Sequence, residues 1–249
     1  MQFSDSLGGG KAQLVRWTSQ FDCGHPTEWW YCIKDCPFDI HSLKAKRRYE
    51  INKGKRNFEV KIIRPMDYLE DLFEVTFRSY AAYPSKYRPA ISKEKFYKEA
   101  EGYDIFKVYG AFDMDNERLC GYSLIHQYDS FIRFNVQKVI PEYEKMGINA
   151  ALVYQILCDF NEELSKGVYI VDGNRNIVHE THFQDYLEKY FCFRKAYCVL
   201  HIKYKPFFGA MVKCIYPFRS ILRKCGNGKI FHYVNSLMNM EEIRKSFEN

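Results

Sequence analysis

The order of apolar patterns predicts an α/β (α+β) chain in which strands and helices mix along the length. Three observations carry this. Short runs such as Phe58–Ile63 and Lys195–Tyr204 alternate apolar and polar residues, as half-buried strands do. Between them lie runs with apolar residues three and four apart, opened by Ser, Pro or Asp, as helices do. A length of 249 residues with 47% hydrophobic content can bury a core and excludes a disordered chain.

The elements follow in order. Residues 1–16 read as a loose leader, and Trp17–Phe38 as short strands and turns with a strand at Glu28–Ile33. Ser42 is placed to cap a basic helix reaching about Lys53, and Gly54 to end it. Phe58–Ile63 is a strand, Pro65 and Asp67 open a helix to about Tyr83, and Ser92 caps a helix over Lys93–Glu101. Phe106–Met114 and Arg118–Tyr128 are strands joined by the turn Asp115-Asn116-Glu117. A strand at Phe131–Val139 passes through a Gly-containing turn into a helix over Asn149–Ser165. A strand at Val168–Val171, a helix at His182–Tyr190 and a strand at Lys195–Tyr204 complete the order.

Composition narrows the function classes. No run of 18 apolar residues occurs, so no membrane-spanning helix is expected. Met1–Gly10 is polar and Gly-rich, unlike a signal peptide, and the nine cysteines are expected as free thiols in a reducing cytoplasm. Cys23, His25, Cys32 and Cys36 fit no standard zinc knuckle, so no metal is expected. The 20 Tyr and 20 Phe suit either an aromatic-rich core or a groove for planar faces. The net charge of +6 is unevenly spread: from Lys189 to Met240 ten Lys and Arg meet no Asp or Glu. Lys44, Lys46, Arg47, Arg48, Lys53, Lys55 and Arg56 stand against Glu50 alone. Such runs are either solvated faces or the footprint of an anionic partner: a phosphate-bearing substrate, tRNA or a membrane surface.

The most informative stretch is Ile140-Pro141-Glu142-Tyr143-Glu144-Lys145-Met146-Gly147-Ile148-Asn149-Ala150-Ala151-Leu152. A strand, a tight turn and a helix start present free N–H groups and the positive end of the helix dipole, an anion cradle. The stretch resembles the acyl-CoA loop of the GNAT superfamily of N-acyltransferases, matching it at Pro141, Glu142, Tyr143, Gly147, Ile148, Ala151 and Leu152. It departs at Glu144, Lys145 and Asn149. The element order over residues 58–205 is also that of GNAT proteins. The resemblance implies a GNAT-like mixed, mostly antiparallel twisted sheet with helices on both faces. An N-terminal extension (1–57) and a basic helical C-terminal tail (206–249) flank it. Within GNATs, Lys46-x-Arg48-x-x-Ile51-x-Lys53-Gly54 resembles a helix of FemAB-like proteins and their relatives in bacterial envelope polysaccharide synthesis.

The resemblance also implies roles. Acyl transfer to an amine needs a held thioester, a base and an oxyanion donor. Backbone N–H groups near Val139 and Ile140 would hold the pantetheine of an acyl-CoA such as acetyl-CoA, and those of Lys145, Met146, Gly147, Ile148, Asn149 and Ala150 its pyrophosphate. The stretch Asp172–His182 is a second candidate: His179 and Glu180 as catalytic acid or base, Asp172 and Arg175 as substrate ligands. His179 is equally read as a hydrogen-bonded loop residue, and Glu180 as a helix N-terminal charge. Many GNATs place a general-acid Tyr four residues before a Gly-Phe pair. Here the pair is Cys192-Phe193 and the matching position is Glu188, so Tyr190, two residues off, is taken as the candidate acid.

Lys205–Cys225 intersperses apolar residues with Lys213, Arg219, Arg223 and Lys224 and is expected to break at Pro217. It can lie on the inner membrane face or pack on the domain or on a second subunit. The expected function is acyl transfer from acyl-CoA to an amino group of a cell-envelope sugar or peptide precursor, in the cytoplasm or on that face. The alternatives are an aminoacyl-tRNA donor and a non-catalytic protein that binds a polyanion or membrane.

Overall fold

The computed structural model describes residues 12–83, 88–177, 182–225 and 228–248. The chain divides into two compact units: residues 33–173 with 185–193, and residues 1–32 with 174–184 and 194–249.

The larger unit is built on strands β3 (Phe58–Ile63), β4 (Lys107–Asp113), β5 (Leu119–Gln127), β6 (Phe131–Val139) and β7 (Tyr169–Asn174). They lie in the spatial order β7-β6-β5-β4-β3. Successive strands from β3 to β6 pair antiparallel, whereas β6 and β7 run parallel. Helices cover both faces, as the alternation of side chains on β5 demonstrates. Tyr122 bonds Thr76 (2.8 Å) on helix α2 (Leu69–Ala81). Its neighbour Ser123 turns the other way, to Gln137 (3.0 Å), whose amide donates to Asn149 (2.7 Å) on helix α4 (Ile148–Asp159). On the first face Leu72, Val75, Phe96, Tyr103, Val108, Phe112 and Leu124 close one core with α3 (Lys93–Ala100). On the second face α1 (Ala45–Asn57) packs with α4 and buries Ile51. Helices α5 (Asn161–Ser165) and α6 (Phe183–Phe191) complete the series.

The smaller unit carries β1 (Leu14–Ser19), β8 (Arg194–Tyr204) and the Trp29–Cys32 part of β2 (Trp29–Lys34), in the order β1-β8-β2. Its helices are α7 (Pro206–Ile215), α8 (Arg219–Cys225) and α9 (Lys229–Lys245). Glu241 of α9 is buried between Arg244 (2.8 Å) and the Tyr204 hydroxyl (2.8 Å), which hold its carboxyl below the usual range despite burial.

The fold is the mixed, mostly antiparallel class expected, with three local differences. Leu14–Arg16 are strand, not leader, because β8 supplies a partner from Leu14↔Tyr204 to Ser19↔Val199. Ser42 does not cap α1: its hydroxyl donates to Asp39 O (2.7 Å), closing a short 3-10 turn over Ile40–Ser42, and α1 starts at Ala45. Gly54 lies inside α1, which runs to Asn57. The expected break at Pro217 is present: α7 ends at Ile215, a 3-10 turn spans Tyr216–Phe218, and α8 starts at Arg219. A proline in the first turn of a new helical segment costs no hydrogen bond.

Candidate functional site

The site begins where β6 leaves β7. Their pairing runs only through Phe131↔Tyr169, Ile132↔Ile170 and Arg133↔Val171. Beyond that, β6 continues to Val139 paired to β5 alone. The β5–β6 register shifts between Leu124↔Val136 and Ile125↔Phe134, so Asn135 is an extra residue, a β-bulge. Past the bulge, Ile140 N–H donates to Cys120 O (2.8 Å). Because N–H directions alternate along a strand, Val139 and Gln137 aim their N–H and C=O groups away from β5, into the gap. The Val139 N–H, expected near a donor carbonyl, therefore faces open strand edge, whereas that of Ile140 is already used.

Pro141–Met146 forms a 3-10 turn that ends at Gly147, whose φ of +89° only glycine adopts at low cost. Gly147 N–H closes the turn on Glu144 O (3.0 Å), and Ala151 N–H returns to Gly147 O (3.0 Å). The amides of Ile148, Asn149 and Ala150 are thus the first three of α4, those a helix cannot bond within itself. Helix α1 clasps the outside of this turn. Asn57 Nδ2 donates to Met146 O (2.9 Å) and Lys53 Nζ to Lys145 O. Gly54 meets Gly147 backbone to backbone: a Cβ on Gly54 would lie 2.3 Å from Gly147 O. The two sequence signatures, the basic helix and the loop, therefore touch. Of the loop's acids, Glu142 pairs with Arg78 of α2 (2.9 Å), and Glu144 adds to the burial that raises the Tyr83 hydroxyl, so both act on the α2 side.

On that α2 side lies a pocket of about 380 Å³ between α2, α3 and β6. Thr76, Tyr80, Tyr103 and Tyr122 form its walls with Asn135 and Lys138 of β6, and Lys95 and Glu99 of α3 also line it. Lys138 Nζ stands 4.4 Å from the Tyr80 ring centroid and donates a long hydrogen bond to Tyr83 Oη (3.4 Å). Among the described residues no carboxylate pairs with it, and burial pushes its pKa down to about 8. Burial also raises the hydroxyls of Tyr80, Tyr83 and Tyr103, the last to about 12, so these walls stay neutral near pH 7.

The remaining expected site residues are dispersed. His179 and Glu180 lie outside the described residues. Asp172 is half-buried on β7, which extends past the expected end at Val171. Arg175 is already engaged: Nη1 donates to Glu28 O (2.7 Å) and bridges Glu28 Oε2 (2.6 Å), so it ties its unit together and is no free clamp. Tyr190 on α6 stacks near Tyr186 (4.9 Å) beneath the Arg47 guanidinium of α1 (5.8 Å). After α6, Cys192 takes φ +57°, a left-handed conformation that glycine adopts at lower cost. Phe193 follows and sets its ring edge to Phe134 of β6 (6.3 Å). No group of three or more His, Cys, Asp or Glu able to hold a metal occurs among the described residues.

No family model matches the chain, and no curated protein matches its sequence. Solved structures do. L-PGS from Bacillus licheniformis matches 78% of this chain and 66% of its own at 14% identity and TM-score 0.47. The C-terminal domain of a putative lysylphosphatidylglycerol synthetase from Agrobacterium fabrum matches 83% of this chain and 66% of its own at 9% identity and TM-score 0.49. The PaiA N-acetyltransferase of Thermoplasma acidophilum, solved with coenzyme A, matches 45% of this chain and 74% of its own at 22% identity and TM-score 0.34. This chain thus spans just under two thirds of the length of the first two, and the likeness is one of fold.

Proposed function

We propose that the chain is a GNAT-like acyltransferase that moves an acyl group from acyl-CoA to an amino group of a cell-envelope sugar or peptide precursor. The observation that carries the reading is the splay of β6 from β7 with the bulge at Asn135, beside a Gly147 turn into α4. An acyl-CoA holds an extended amide chain and a pyrophosphate. The open edge of β6 at Gln137 and Val139 would hydrogen-bond the amides as a strand would. The amides of Ile148–Ala150 would take the pyrophosphate, with Lys145 as a nearby cation. The acceptor would enter from the pocket on the α2 side. Its amine nitrogen attacks the thioester carbonyl carbon, the C–S bond breaks, and CoA leaves as the thiolate, which takes up the proton that the amine sheds. The amine proton needs a base, and the neutral form of Lys138, about a tenth of molecules at pH 7, is placed to accept it.

A second reading, an aminoacyl-tRNA donor, draws support from Lys44, Lys46, Lys55 and Arg56, exposed on the same helix that clasps the cradle. Titration of acetyl-CoA into the protein separates the two. Asn149→Asp is the control: Asp keeps the oxygen that accepts from Gln137 and suits a helix start, but repels pyrophosphate. The acyl-CoA reading expects binding that weakens about tenfold or more in the variant, a loss of ~1.4 kcal/mol, at unchanged Tm. Absence of binding to the parent chain, with charged tRNA bound instead, would replace the donor.

A further inference from the structure

Helices α7 and α8, with the turn between them, leave large apolar side chains in solvent. Phe207 is 87% exposed, Met211 39%, Phe218 58% and Ile221 58%. Their positions step by four, seven and three, which with exposed Cys214 between Met211 and Phe218 is a 4-3-4-3 spacing along α7, the 3-10 turn and the start of α8. The opposite face is anchored: Val212 is buried, and the Phe208 ring lies 6.0 Å from that of Tyr204. Lys205, just before α7, and Lys213 within it are exposed. Arg219 and Arg223 share Glu242 of α9 (3.4 and 2.5 Å), leaving the bundle net basic. Across Lys189–Met240 the sequence offers ten cations and no acid. Among the described residues no helix is long and apolar enough to cross a membrane.

We propose that α7–α8 docks in the plane of an anionic membrane, with Phe207, Met211, Phe218 and Ile221 immersed at the acyl boundary and Lys205 and Lys213 at the headgroup phosphates. The chemistry of the face selects this occupant. An amphipathic helix with exposed Phe and Ile beside lysines binds interfaces through buried apolar area plus attraction to anionic lipid. A second copy would bring two basic faces together, which repel.

The test is cosedimentation of the whole chain with vesicles of phosphatidylcholine, with and without phosphatidylglycerol. The expected result is binding to the anionic vesicles, weakened by salt. Phe207→Ser with Phe218→Ser is expected to weaken it about tenfold or more, from lost apolar burial. Lys213→Glu is expected to weaken binding only where phosphatidylglycerol is present. These side chains are exposed, so an unchanged melting curve certifies the fold of each variant. Three results overturn the proposal: no binding to either vesicle, binding that the double Phe variant leaves intact, or a vesicle-free dimer by light scattering that the same variant abolishes.

Discussion

The two faces of strand β6 are furnished in opposite ways. Toward α4, polar groups are linked: Ser123, Gln137 and Asn149 form one chain, and α1 locks the turn through Asn57, Lys53 and the Gly54–Gly147 contact. Toward α2, the Lys138 ammonium sits among tyrosine rings and, among the described residues, pairs with no carboxylate. The first face spends its polar groups on rigidity; the second leaves one underused, and a lysine kept short of water binds or gives up protons readily. The difference teaches that one face is locked by hydrogen bonds and the other keeps an ammonium group at the cost of burial.

The comparison breaks most visibly at Gly54. Gly54→Ala drives a methyl into Gly147 O, a backbone atom that cannot rotate aside. A loss of about 3 kcal/mol is expected in urea unfolding, the upper range for overpacking. An unchanged midpoint would mean that α1 is not locked to the turn.

Lys138→Met acts on the other face with the opposite sign for stability. In the unfolded chain Lys138 ionises near 10.5, and in the fold near about 8. Between these values the unfolded chain holds more proton, so stability rises with pH; below both, the burial penalty is constant and complete. Tyr80 and Tyr83, raised by burial, stay protonated through the lower part of that window. The variant is expected to be more stable at pH 7 by up to about 3 kcal/mol and to lose the rise above pH 8. Any acyl transfer should fall with it, the usual trade at a reactive site. Equal stability–pH curves for both proteins would place Lys138 in ordinary solvent.

Asn149→Asp, described above, sharpens the contrast through ligand affinity alone. The smallest effect is expected at Cys192, next to the Phe193 ring that backs Phe134 at the splay. Cys192→Gly relieves a left-handed residue and is expected to gain up to about 1 kcal/mol of thermal stability, with the acetyl-CoA titration unchanged. A loss would show that the thiol packs more than the backbone strains.

Most elements were legible in the sequence because their periodicity is set by burial on one side. Phe131–Val139 was read to the residue. What was not legible depends on approach between distant segments or on a single inserted residue. Gly54 after a basic run looks like a helix stop; only the presence of Gly147 on another element makes it a contact residue. Lys138 was missed for a related reason. Plain alternation puts Phe134, Val136 and Lys138 on one face, but the bulge at Asn135 reverses the parity. Phe134 then joins Gln137 on the α4 side, while Lys138 points with Val136 at α2. Asn amid a strand was the one signal available, since Asn is depleted in strands. The turn before Phe193 was not legible as left-handed because Cys192, not a glycine, adopts the φ of +57°. Arg175 was read as a free clamp because the sequence could not bring Glu28 to it, 147 residues away.

The clasp of α1 on the turn also has a meaning in time. Lys53 and Lys145 are separated by 92 residues, so the helix cannot find its seat until the hairpins between have closed that loop. Such a junction belongs to the downhill side of the folding barrier. A defect there, such as a methyl at residue 54, should leave the refolding rate almost untouched and appear as faster unfolding. The nascent chain would carry α1 undocked through the early stages, and the Gly147 turn would take its final shape last.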